Sequence, residues 1–104
     1  MRYAFDIDNT LVHTQDGDYS SSTPIQHRID AVNALYDSGN IIILFTARGS
    51  RSGKDYRRLT EDQMAAFGIK YHKLVFGKPD VDIFVDDKAM SPEDWDRKVQ
   101  NKFS

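Results

Sequence analysis

The chain has 104 residues, a formal net charge of −2 and no cysteine. That length allows one domain (1–104) with a single modest core. The missing thiols exclude disulfides and thiolate metal sites, and the near-balanced charge argues against a nucleic-acid coat or a polybasic membrane anchor. The stretch from Met1 carries Arg2, Asp6 and Asp8 and no long apolar run. No later segment is long enough to span a bilayer. The expectation is therefore a cytoplasmic protein with no secretory signal and no membrane partner.

Arg2 to Ile7 reads as a strand, with Tyr3, Phe5 and Ile7 alternating along one side. Asp6 and Asp8 follow at its end, two apart and so on one face of a strand. Two like charges buried together need a cation or a proton between them. The pair reads either as a divalent-metal site at the end of a first strand or as a strand entering an Asx-type turn at Asp8-Asn9. Leu11 to Thr23 is polar and turn-rich, a loop or small hairpin whose tightest turn signal is Asp16-Gly17. It is either a flap offering His13 and Tyr19 to a substrate or a solvated connection.

A helix should open with Thr23 as N-cap and Pro24 as its first residue. Ile25, Ile29, Val32 and Leu35 or Tyr36 give it one apolar face, and Gly39 stops it. Ile41 to Phe45 is an unbroken apolar run, as in a parallel strand buried on both faces. Strand, helix and strand make a βαβ unit with an expected right-handed crossover. The second strand ends in Thr46-Ala47-Arg48-Gly49. Ligands of open α/β sheets bind at that edge, so Thr46 and the Asp6/Asp8 pair should share one crevice. Arg48, Arg51, Lys54, Arg57 and Arg58, with Asp55 the only acid among them, then form either a solvated basic loop or an anion-recognition element.

Asp55 to Phe67 reads as a second helix or helical pair, with Tyr56, Leu59, Gln63 or Met64, and Phe67 on one face. Thr60 and Gln63 have capping-box spacing, which would start the regular helix only there. Lys73 to Phe76 is a third strand, followed by Gly77-Lys78-Pro79, and Val81 to Val85 a fourth, ending in Asp86-Asp87. Ser91-Pro92-Glu93-Asp94 opens a last helix that Trp95, Val99 and Phe103 would dock. One spacing conflicts with this scheme. A parallel crossover needs about a dozen residues or more, and far fewer separate Phe76 from Val81.

The strand ends collect Asp6, Asp8, Thr46, Lys78, Asp86 and Asp87. Carboxylates bind hard divalent ions, a hydroxyl and an ammonium hold phosphate oxygens, and a carboxylate in line with phosphorus is a nucleophile. Asp-x-Asp-x-Thr, a strand-end Thr, Gly-Lys-Pro and a strand-end Asp-Asp, in this order, resemble the four motifs of the haloacid dehalogenase superfamily of phosphatases. The matching positions run from Asp6 to Asp87. The segments around Phe45-Thr46-Ala47-Arg48-Gly49 and from Tyr71 to Ala89 are similar to small phosphatases of bacterial capsule and surface-polysaccharide biosynthesis.

The resemblance implies a three-layer, Rossmann-type α/β domain with a mainly parallel sheet and, at this length, no cap domain. It implies hydrolysis of a phosphomonoester, such as a sugar phosphate or related small metabolite, through an aspartyl-phosphate. Asp6 would be the nucleophile, and Asp8 the acid that protonates the leaving alcohol and then the base that activates water. Thr10 would orient the loop, and Thr46, Ala47 and Lys78 would hold phosphate. Mg²⁺ would be held by the Asp6 carboxylate, the Asp8 backbone carbonyl and Asp87, with Asp86 acting nearby through a water. An uncapped site suggests a homo-oligomer that covers it.

Two other classes fit part of this pattern. A receiver-type phosphoacceptor also uses strand-end carboxylates, a Thr and a Lys, but its acceptor Asp follows the middle strand, where this chain has Thr46. A phosphate-binding module without turnover would be signalled by loss of Asp8, which is present. Within the enzymes, a nucleotide or polynucleotide-end phosphatase suits the basic loop but not the overall acidic charge.

Overall fold

A computed structural model describes the backbone of residues 1–103 and the side chains of residues 1–100. Strand β1 (Arg2–Asp6) leads into a short ribbon of β2 (Val12–His13) and β3 (Thr23–Pro24), then helix α1 (Gln26–Asp37). Strand β4 (Ile41–Thr46), helix α2 (Arg57–Ala66), strand β5 (Lys73–Phe76) and helix α3 (Pro92–Phe103) complete the order. The three longer strands form one parallel sheet in the order β1-β4-β5. This is the Rossmann-like α/β class expected from the sequence, a parallel sheet with three helices and no cap.

Register puts Tyr3 beside Ile42, and Phe5 beside Leu44 and then Leu74. Neighbours in a parallel ladder share a face, so these residues form one apolar surface. Ile29, Val32 and Leu35 of α1 and Met64 of α2 join Phe5, Ile42 and Leu44 in a single core. Ile7, just past the end of β1, is fully buried there as well. Helix ends follow local chemistry. Gly39, at φ 92, closes α1 with N–H donations from Gly39 to Tyr36 and from Asn40 to Leu35. Gly68, at φ 70, closes α2 in the same way through Ala65 and Met64. Both are complete Schellman motifs. The Ser91 hydroxyl accepts the Asp94 N–H at 3.1 Å, so the start of α3 is capped as its sequence implies.

Three expectations fail. Thr23 is not a helix cap, because Thr23 and Pro24 pair antiparallel with His13 and Val12. The Ile25 N–H donates to Leu11, and the helix begins only at Gln26. Val81 to Val85 forms no strand, and Ile83 and Val85 stand 80% and 90% exposed. The cause is the connection, which is too short for a parallel return across the sheet. Thr60 and Gln63 do not start α2 either, since the helix already runs from Arg57. The expected contact of Phe103 falls outside the described side chains.

Helix α3 is held to the sheet by one aromatic cluster, in which Trp95 meets Phe5 edge-on at 5.3 Å and Tyr3 at 5.8 Å. Its indole N–H is buried without a partner. Trp95→Ala is expected to lower unfolding free energy by about 2–3 kcal/mol, below the usual cost for a fully buried aromatic because the ring is only half-buried. Trp95→Phe removes the unpaired donor, keeps a ring and should change it by less than about 1 kcal/mol. Urea unfolding of the three proteins measures both.

Candidate functional site

Asp6 ends β1, and the chain reverses directly beyond it. The N–H groups of Thr10, Leu11 and Val12 all converge on the Ile7 carbonyl, at 3.2, 2.9 and 3.1 Å. Asn9 takes the left-handed conformation, φ 63, which its short polar side chain tolerates. This knot fixes Asp8 just above the strand end. The loop from Leu11 to Thr23 folds back over it, with Asp16 and Gly17 both at positive φ in the turn. From that loop the Thr14 hydroxyl donates to Asp8 Oδ1, and the Thr14 N–H to the Asn9 side chain at 3.2 Å. His13 is exposed, and Tyr19 lines the cleft.

Lys78, two residues past β5, reaches back over the Phe45 ring at 4.8 Å and brings its Nζ to 3.4 Å from Asp6 Oδ2. Burial pushes the Asp6 carboxyl above its ordinary value, and the charge and hydrogen bond of Lys78 oppose that rise without cancelling it. Asp8 nearby pushes it up further. The two carboxylates open on a cleft of about 410 Å³ whose walls include Ala47, Arg48, Lys78 and Asp80. Thr46 is fully buried beneath it, and its hydroxyl accepts the Arg48 N–H at 3.0 Å. Of the expected phosphate-holding set, Ala47 and Lys78 line the cleft, while Thr46 turns its oxygen toward the backbone.

Arg48 is not a member of a solvated basic loop. Its side chain is fully buried and forks onto Asp8, Nη2 to Oδ1 at 2.9 Å and Nε to Oδ2 at 3.0 Å. Its third nitrogen, Nη1, donates to Thr60 Oγ1 at 3.1 Å and to Gln63 Oε1 at 2.7 Å. The Tyr19 ring lies 4.8 Å from the guanidinium, and Gln63 Nε2 donates to the Tyr19 carbonyl. Thr60 and Gln63 therefore serve Arg48. The clue in the sequence is a polar pair one turn apart on the buried side of a helix, beside Met64.

Asp86 and Asp87 are not at this site. Both are exposed in the turn after Val85, where the Asp86 carboxylate accepts the Lys88 N–H at 2.8 Å. Without a fourth strand, nothing delivers them to the sheet edge. Among the described residues no three His, Asp or Glu side chains gather to hold a metal ion. Among the described residues the expected Mg²⁺ set of Asp6, Asp8, Asp86 and Asp87 is thus not assembled, and the Asp6 carboxylate is instead met by Lys78. The residues present do not fit the ion.

No protein-family model matches the chain, and no curated protein matches it significantly. A solved structure from Vibrio cholerae, described only as a structural-genomics target, is similar with a TM-score of 0.84 and 19% identity. The likeness covers 96% of this chain and 94% of that one. At that identity it shows the fold alone. Among the described residues no helix is long and apolar enough to cross a membrane.

The two carboxylates should respond oppositely to neutralisation. Asp6 has a raised pKa in the folded state, so ionising it costs stability as pH rises from the ordinary carboxylate value of about 4 through the folded value. Asp6→Asn is therefore expected to raise Tm at neutral pH, with the gain vanishing in acid. Asp8→Asn leaves a buried guanidinium without its counter-charge and should cost about 2–3 kcal/mol at neutral pH. Thermal unfolding across pH tests both signs.

Proposed function

We propose that this chain is a capless phosphomonoester hydrolase of the haloacid dehalogenase type, carrying the phosphoryl group on Asp6. The observation behind this reading is the Asp6–Lys78 contact, a partly buried carboxylate with an ammonium 3.4 Å away, at the carboxyl edge of a parallel sheet. Edges of this kind are where open α/β folds place their ligands. Lys78 offsets the negative charge of Asp6, so that an anionic nucleophile can approach an anionic phosphate.

An Asp6 oxygen attacks phosphorus, the bond from phosphorus to the ester oxygen breaks, and the departing alkoxide takes a proton from Asp8. Water then attacks the phosphoryl group and gives a proton to Asp8. The bond from phosphorus to Asp6 breaks, and inorganic phosphate leaves. The backbone at Ala47 and the Lys78 ammonium flank the cleft where the phosphoryl oxygens would lie. The cleft is polar and open, which suits a small phosphorylated metabolite such as a sugar phosphate. Mg²⁺, which the motif resemblance implies, would require Asp86 and Asp87 to come beside Asp6.

A nucleotide phosphatase is the second reading. It is favoured by an adjoining cleft of about 280 Å³ lined by Lys54, Tyr56, Arg57 and Phe76. Arg57 lies over the Phe76 ring at 4.6 Å, a surface on which a base could stack.

Phosphate release from sugar phosphates, nucleotides and para-nitrophenyl phosphate tests the proposal, with Mg²⁺ present and again with chelator. Release is expected from at least one class, to be abolished by Asp6→Asn and lowered roughly 100-fold by Lys78→Met. No release from any of them by the folded protein in Mg²⁺ would overturn it. Loss of release with chelator would show that the reaction needs a divalent cation.

A further inference from the structure

We infer that Arg48 is a positioning residue that aims Asp8 Oδ2 at the water of the second half-reaction, an inference that rests on the phosphatase reading above. A charged side chain with no exposed surface requires several partners, and Arg48 has them on three separate parts of the chain: Asp8, the Tyr19 ring, and Thr60 with Gln63 on α2. Its fork and the Thr14 hydroxyl divide the Asp8 carboxylate unequally. Oδ1 accepts from Arg48 Nη2, from Thr14 and, at 3.3 Å, from Arg48 Nε, whereas Oδ2 takes one donation, from Arg48 Nε at 3.0 Å. A carboxylate oxygen has two lone pairs, so Oδ2 keeps one in hand. Asp8 lines the same cleft as Asp6 and its side chain is 21% exposed, so solvent reaches the carboxylate there.

The fork suits Asp8 after it has given its proton to the leaving alcohol. Arg48 then holds the carboxylate in one orientation while water attacks phosphorus. Oδ2 receives the water proton, the bond from phosphorus to Asp6 breaks, and phosphate departs. Thr60 and Gln63 act one step further out. They fix Nη1, so the plane of the guanidinium, and with it the plane of the carboxylate, is set by α2.

The test separates the two half-reactions. Para-nitrophenolate leaves without a proton, so its first-turnover release reports formation of the phosphoenzyme alone. In Arg48→Met the first-turnover burst should stay within a few-fold of the unsubstituted protein. Steady-state release should fall roughly 10–100-fold, and phosphorylated protein should accumulate in the intact mass spectrum. If Arg48→Met does not fold, Arg48→Lys keeps the charge, lacks the fork and should show the same accumulation. A fall of burst and steady state in equal proportion, with no phosphorylated protein, would mean a merely structural role and overturn the inference while leaving the phosphatase reading intact. No release by the unsubstituted protein would overturn both.

Discussion

A guanidinium taken out of water has to be met by opposite charge and by hydrogen bonds to its other nitrogens. Arg48 is fully buried, and what meets it comes from the loop after β1, from the ribbon around Tyr19 and from α2. No one of those parts would be held in place by local propensity alone. The loop after β1 is irregular, the ribbon pairs only two residues on each side, and α2 buries few apolar side chains besides Met64. The arginine ties them together over the end of the sheet. The same contact that closes the domain also orients Asp8, so stability and site geometry are not separable at this point.

Its neighbour is governed by a different balance. Asp6 is held by position, at the end of a strand whose other residues pack the core, and its burial raises the free energy of its ionised form. Lys78 answers with one long contact of 3.4 Å. One carboxylate is well supplied with donors, and the other is under-compensated.

Much of this was legible in the residues. The strands at Phe5, at Ile41 to Thr46 and at Leu74 follow from apolar runs. Gly39 and Gly68 end their helices where a left-handed residue is needed, and Ser91 caps the last one as its sequence suggests. The crowding of Asp6, Asp8 and Lys78 at one sheet edge also followed from strand order. What could not be read was long-range. Thr23 has the chemistry of a helix cap but finds His13 as a strand partner, a contact that no local pattern announces. Arg48 looks like the first of several surface cations, because burial of an arginine depends on Asp8, Thr60 and Gln63 arriving from elsewhere. Val81 to Val85 has strand composition, yet chain length decides against it, and Asp86 and Asp87 stay in solvent as a consequence.

The central claim is that Asp6 becomes covalently bound to phosphorus. Borohydride reduces an aspartyl-phosphate to homoserine, and an unmodified carboxylate resists it. The protein would be mixed with para-nitrophenyl phosphate, treated with borohydride during turnover and mapped by peptide mass spectrometry. Homoserine at position 6, and at no other aspartate, is the expected result. Turnover with Asp6 left intact, or with the label on another residue, would contradict the account.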